Sequence, residues 1–354
     1  MKKKLEEELH LLPGVMMKRY RLLSVLSALV LIVIPLTTGH AQEHFAKLGS
    51  TLSCGHPLQR ALKDFCDSLH GDLTLQIFPN GQLGTAQHIL EGLQFGYIEM
   101  AVLPLESLSQ EAALLDILGL PYLFKDATHR AQVLNGPLGK RFLDALETLN
   151  LVGLGFLDTY PRFYVTKQES LESQTSFQDR QVVLVCPLPE QECRQRVHDE
   201  RPVQFFELMG AQSRAIPLEK VRETLESDPP DLIEYLPFTG MEAVFEGSEF
   251  NTLILTAHRR PPAVLLAGKR WFESLPSELK EKIFRASNTL VRQHVQLMQD
   301  ALRHTHTTLR TQGMNIAEPP NEGIFEAVQM LYATHAHEFG PDFKQFWRAI
   351  QNIK

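Results

Sequence analysis

The sequence predicts an α/β protein of two lobes spanned by one long helix, and three observations carry that prediction. From Ala46 strand-like and helix-like segments alternate, a second series of the same kind begins near "FYVTK", and one helical pattern runs from just after Pro276 to Gly313. Alternation of this sort builds a largely parallel sheet covered by helices. At ~1.5 Å per residue the last pattern would exceed ~50 Å, longer than one lobe is wide. It is therefore expected to bridge both lobes.

The elements follow in order. "AKLGSTL" reads as a strand, and the segment from Pro57 to about His70 reads as a helix with Leu58, Ala61, Leu62, Phe65 and Leu69 on one face. "LTLQIFP" is a second strand, and Pro79-Asn80-Gly81 is a turn. A helix follows from about Thr85 to Phe95, with Ile89, Leu90 and Leu93 inward and Gly96 as its stop; "IEMAVLP" is the third strand. The break between the lobes is expected near Tyr160, before "FYVTK" and "QVVLVCP". Later, "NTLILTAH" and "AVLLAGKRWF" read as strands, and the long helix is expected to turn Val291, Val295, Met298, Leu302 and Leu309 to one side. Residues 42–160 plus about 250–285 are assigned to the first lobe, and 161–249 plus about 286–354 to the second, with the long helix and the C-terminal helices.

The first 41 residues read as an export signal. Lys18, Arg19 and Arg21 precede the apolar run Leu22 to Leu36, and Gly39-His40-Ala41 offers a cleavage site that would start the mature chain at Gln42. Fifteen apolar residues fall short of the ~20 that span a bilayer, which argues against an uncleaved anchor. Glu6, Glu7 and Glu8 are foreign to such a signal, so Met16 or Met17 is a candidate start. Removing residues 1–41 takes six of the 35 Lys/Arg and three of the 42 Asp/Glu, leaving 29 against 39 and a charge of −10. An acidic surface disfavours nucleic acid or anionic membrane as partner. The expected compartment is the periplasm.

An oxidising compartment permits disulfides, and Cys54, Cys66, Cys186 and Cys193 allow three connectivities. Six residues that include Pro187 and Pro189 separate Cys186 from Cys193, which favours a turn that brings them within bridging reach. Cys54 and Cys66 are expected unbridged, because a strand end and a point well along the next helix lie beyond the ~7 Å limit between Cα atoms. "TLSC" lies too far past the apolar run to be a lipid-anchor site. Cys66 and His70 share a helix face, but a buried structural thiol is the expectation there. His304 with His306, and His335 with His337 beside Glu338, stand two apart and point to different sides, so neither pair makes a metal site. No G-x-S-x-G, P-loop, G-x-G-x-x-G or H-E-x-x-H occurs. The expectation is a binder without cofactor or metal, not an enzyme.

"HPLQRALKDF", "FPNGQLGTAQHILEGLQFGYIEMAV", "LGLPYLFKDATHRAQVLNGPLGKRF", "GLGFLDTYPRFYVTK", "ELMGAQSRAIPLEKV", "LTAH" and "KRWFESLPSELKEKI" together resemble the DctP-like substrate-binding proteins of TRAP transporters. The resemblance implies a two-lobe periplasmic-binding-protein-like fold with crossing strands. It also implies closure on a small molecule, delivery to a sodium-coupled permease and, in some systems, an accessory periplasmic protein; a monomer is expected. A sensory module of the same fold is the alternative.

Mapped motif by motif, the resemblance implies that Arg162 of "TYPRFYV" faces the ligand, and that Val185 stands where the family has a second Arg. Asp231 and Glu234 remain from a family motif whose Asn is here Tyr235. The remaining pocket positions fall on Thr51, Ala86, Pro104, Leu188 and Leu218. One cation among apolar neighbours implies a ligand with at most one anionic group and an apolar body. Two alternatives stay open. Arg162 ties the lobes together, or Arg194, Arg196 or Lys220 supplies further charge to an ordinary carboxylate ligand.

Overall fold

The structure, a computed structural model, describes residues 44–108, 113–167, 177–187, 190, 193, 201–237, 240–318, 324–337, 339 and 342–353. The expected export signal lies outside them, as do Leu188, Arg194, Arg196 and Glu338.

Two sheets organise the described chain. The first contains β1 (His44–Ser50), β2 (Leu73–Phe78), β3 (Met100–Pro104), β4 (Leu151–Leu157) and β10 (Ala263–Gly268), in the order β2-β1-β3-β10-β4. β1 and β3 are parallel, and β10 runs antiparallel to both β3 and β4. The second contains β5 (Arg162–Thr166), β6 (Gln181–Cys186), β7 (Gln212–Pro217), β8 (Leu232–Tyr235), β9 (Thr252–Arg259) and β11 (Asn315–Ala317), in the order β11-β9-β5-β8-β6-β7.

"MAVLP" and "AVLLAG" are unbroken apolar runs because their strands are covered on both faces. Met100, Val102 and Leu265 pack on one side with α1 (Leu58–Leu69), while Ala101, Leu103, Val264 and Leu266 pack on the other with α2 (Ala86–Phe95). α1 buries Leu58, Ala61, Leu62, Phe65 and Leu69, the stripe expected from spacing, and adds Cys66. Thr85 caps α2 by accepting from the His88 amide at 3.3 Å. Gly96 ends it at φ 81°, a left-handed turn in which a side chain would be strained.

Further along come α3 (Ala127–Asn135), α4 (Pro137–Ala145), α5 (Arg201–Leu208), α6 (Val221–Ser227), α7 (Glu242–Phe245), α8 (Lys269–Ser274), α9 (Ser277–Thr311), α10 (Ile324–His335) and α11 (Phe343–Gln351). α9 has 35 residues, about 52 Å of rise. Its Leu279, Ile283 and Leu290 join the core of the first sheet and its Leu309 that of the second, so it bridges the two. Its buried seam runs through Ser287, His294 and Thr305, which hydrophobic spacing overlooked; Val291 and Val295 are only half-buried.

Three expectations need correction. β9 was assigned to the first lobe, yet it pairs with β5 and β11 in the second sheet, and the chain crosses back only at residues 260–262. An apolar strand fits either sheet; pairing partners decide, and they are remote in sequence. "KRWF" is helical, part of α8, rather than a continuation of β10. The C-terminal helices also reach beyond the second lobe: Phe346 of α11 meets Phe142 of α4 at 5.2 Å between ring centres, and the Tyr332 hydroxyl of α10 donates to Pro121 O at 2.6 Å.

The crossings meet in one buried knot. Asp158, between β4 and β5, pairs with Arg130 of α3 and, at 2.5 Å, with Arg260 between β9 and β10. The Asp158 amide donates to His294 Nε2 of α9, and His294 Nδ1 donates to Leu290 O at 2.9 Å. Burial lowers the His294 pKa, which suits this neutral role.

Candidate functional site

Both sheets reverse their strand order at an inner strand. The chain leaves β1 for β2 and returns past β1 to β3; in the second sheet it leaves β6 for β7 and returns past β6 to β8. Crevices for ligands form outside the carboxyl ends of strands at such reversals. Thr51 follows β1, Pro104 ends β3 and Ala86 opens α2, so three expected positions sit on the first lip. Val185 lies one residue from the end of β6, Leu218 follows β7 and Tyr235 ends β8. Arg162 begins β5, which runs against β8 and β9, so it shares the same lip.

The lips touch through charge. Glu106, in the 3-10 turn Leu105–Leu108 directly after β3, accepts from Arg162 Nη2 at 2.6 Å. Arg162 Nη1 donates to Glu234 Oε2 at 3.0 Å and to Val185 O at 2.8 Å. Glu234 Oε2 also accepts from the Val185 amide at 2.9 Å, and Oε1 accepts from His258 Nε2 at 3.1 Å and Arg259 Nη1 at 3.3 Å. Four donors fill the lone-pair sites of one carboxylate.

Glu234 is wholly buried, which alone would raise its pKa; Arg162, Arg259 and the His258 hydrogen bond outweigh that and hold it well below the usual carboxylate range. Burial drives His258 down to about 4, so it stays neutral. It donates to Glu234 from Nε2 and accepts from Thr256 Oγ1 at Nδ1, 2.9 Å away, with Tyr164 stacked on it at 4.0 Å. Burial depresses Arg162 also, but Glu234 and Glu106 more than compensate and its pKa ends raised. Two arginines face two carboxylates.

Side-chain direction divides the expected residues. Arg162, Tyr164 and Glu234 share one face of the second sheet, whereas Val185 and Tyr235 turn to the other, into a core with Phe163, Val183 and Phe245. Leu218 packs at the margin of that core. The Tyr235 hydroxyl donates to Glu242 Oε1 at 2.5 Å. Val185 reaches Arg162 only through its backbone, so the apolar wall expected of Val185 and Tyr235 does not form beside the guanidinium. Asp231 stands at the far end of β8, accepting from the Gln181 amide at 2.8 Å. Lys220 pairs with Glu223 at 2.8 Å. Sequence reading missed Glu106, His258 and Arg259. Their only signals were an acid just after a strand's carboxyl end in "LPLES" and the basic run after "LTAH".

Cys186 and Cys193 are joined by a disulfide at the end of β6, with Cα atoms 6.1 Å apart; Cys54 is exposed and free, and Cys66 is buried and free. Burial pushes the Cys66 thiol up to about 12, which removes it as a nucleophile. His70, one turn on, is exposed. His306 packs on Phe163 at 5.5 Å rather than lying in solvent. A cavity of about 720 Å³ borders the last residues of β9, lined by Tyr122, Phe124, Arg130, His258, Arg260 and Phe325 among others, and so shares His258 with the Glu234 cluster. Its two arginines are those of the Asp158 knot.

Residues 48–177 match the sequence model of the DctP family, bacterial extracellular solute-binding protein, family 7. An uncharacterized protein of Haemophilus influenzae is 24% identical over 273 residues, 76% of this chain and 79% of its own. A TRAP periplasmic solute-binding protein from Ochrobactrum anthropi shares the fold with a TM-score of 0.76 at 21% identity, over 88% of this chain and 95% of the other. One from Citrobacter koseri, with bound D-glucuronate, superposes with a TM-score of 0.69 at 20% identity, over 88% and 100%. The chain thus shares its fold with TRAP periplasmic solute-binding proteins and resembles the DctP family over residues 48–177.

Proposed function

We propose that the protein is a periplasmic receptor that closes the crevice between its two sheet edges over one small organic acid and hands it to a TRAP-type, sodium-coupled permease. The observation that carries this reading is the meeting of the two switch-point lips at Arg162, a buried guanidinium whose planar fork suits a carboxylate. Val185 offers only its backbone beside Arg162, so the ligand brings a single carboxylate; a second one would enter the site without a cation of its own. The bound D-glucuronate of the Citrobacter koseri protein supports an acid of that size. With Val185 and Tyr235 turned into the core, the reading no longer requires an apolar ligand body.

Native mass spectrometry of protein purified from the periplasm, followed by thermal-shift titration, tests it. A co-purifying monocarboxylate and stabilisation by D-glucuronate-sized acids are expected, with weaker responses to C4-dicarboxylates. Arg162→Lys, which keeps the charge but loses the fork, should weaken acid binding about tenfold or more. Stabilisation by neutral sugars as strong as by acids would overturn the reading.

A further inference from the structure

The cavity at the end of β9 joins buried charge to an apolar wall. Its lining comes from the segment that leads into α3, the end of β9 and the start of α10. Two backbone outliers belong to it: Tyr122 and Ala257 hold φ at 48° and 46°, where side chains are rarely found, and the Tyr122 amide donates to His258 O at 2.7 Å. Strain of this kind persists only where the surroundings enforce it, and it gathers at ligand sites. Among the lining residues, the Tyr122 hydroxyl and Arg130 Nε are also buried without a hydrogen-bond partner. Such orphans are few in folded proteins.

At the buried end, Arg130 and Arg260 share the one carboxylate of Asp158. Burial, offset only in part by Asp158 and reinforced by Arg260, brings the Arg130 pKa down to about 10. Arg260 is less enclosed, with 21% of its side chain exposed; its Nε donates to Thr159 O at 2.9 Å and its Nη2 meets Asp158, while Nη1 has no partner among the described residues. The other charged residues of the lining, Lys125, Asp126 and Glu326, are exposed, so water and salt screen them. Phe124 and Phe325 stand in the wall, with the Arg130 guanidinium carbon 5.9 Å from the centre of the Phe124 ring.

We propose that this cavity is a second binding site, for a small organic acid whose carboxylate completes the Arg130–Arg260 pair and whose apolar body lies against the aromatic wall. Its volume of about 720 Å³ suits a molecule of that kind. The charge balance sets it apart from the crevice: two arginines face two carboxylates around Arg162, whereas here two share one. An incoming carboxylate meets a guanidinium that the protein leaves short of acceptors. The proposal does not rest on the receptor reading.

Calorimetric titration with benzoate and with benzamide, its neutral analogue, tests the site, with and without excess D-glucuronate. Wild type should bind benzoate about tenfold or more tightly than benzamide, and D-glucuronate, which lacks the apolar body, should not displace it. Arg260→Met should abolish that preference, and Arg162→Lys should leave benzoate affinity unchanged. Ala127→Trp puts a large side chain at an exposed lining position outside the Asp158 knot, and should weaken benzoate about tenfold while its urea midpoint stays near that of wild type. Absence of benzoate binding, equal affinity for benzamide, or a loss caused by Arg162→Lys would overturn the second site. If Arg260→Met does not fold, Ala127→Trp decides: unchanged benzoate affinity overturns the proposal. The receptor reading is judged separately, by the co-purified ligand in the native mass spectrum.

Discussion

The two lips of the crevice are built on opposite terms. The first presents Thr51 and Pro104 at strand ends, its Ala86 is buried in the core with Ile89 and Leu90, and among the described residues Glu106 is the charge it brings to the Arg162 cluster. The second presents Arg162, Glu234, His258 and Arg259, each held by its neighbours. A saturated buried network is rigid because any shift breaks several hydrogen bonds in a low-dielectric setting. The comparison teaches that the fixed charges sit on the second lip, whereas the part-buried Thr51 and Pro104 of the first can change with less disturbance to the fold.

The sharpest way to break this contrast is to remove the centre of the second lip. Glu234→Ala leaves Arg162 and Arg259 buried without their shared partner, and should cost about 3–5 kcal/mol in urea-melt stability. A loss below about 1 kcal/mol would mean that the cluster is not the rigid half.

Acid should act next most strongly. His258 titrates near 4 in the folded protein against 6.5 in the unfolded chain, so between those values the unfolded state binds more protons. The stability it contributes is complete above about pH 6.5 and is lost as pH falls toward 4, by about 3 kcal/mol. Glu234, held below its ordinary range, has the same sign at still lower pH. Urea melts across pH 4–7 should show the decline, and His258→Asn should flatten it.

The disulfide at the end of β6 is the third lever. Its seven-residue separation implies about 2 kcal/mol from loop closure. Cys186→Ser with Cys193→Ser should lower the urea midpoint accordingly. Mass mapping without reductant should recover the Cys186–Cys193 pair, and a maleimide should label the native protein once, at exposed Cys54 and not at buried Cys66. The smallest effect belongs to the first lip. Thr51→Ser should change stability by no more than about 0.5 kcal/mol while altering the ranking of acids in thermal-shift titrations.

Much of this architecture could be read from residue spacing, and the failures share one cause. The stripes of α1 and α2, the strand runs and the reach of α9 follow from local periodicity. Arg162, which begins β5, was singled out by the family resemblance and not by periodicity. What spacing cannot supply is register between remote strands. That register sends β9 to the second sheet, turns Val185 and Tyr235 away from Arg162, and brings Glu106 across to it from 56 residues away. The polar seam of α9 escaped for a related reason: Ser287 and His294 are buried because partners satisfy them, Ile283 O in one case and the Asp158 amide in the other.

The knot at Asp158 gives the joint a pivot. Both crossing segments and the middle of α9 are pinned to one carboxylate-bearing residue, so sliding the lobes along each other would break several buried contacts at once, whereas rotation about that point would break fewer. Under that constraint, the width of whatever lies between the lips is converted into an angle between the sheets. If the proposed receptor role holds, a partner that grips both lobes at once would read that angle, and two ligands of different width would reach it as two different postures.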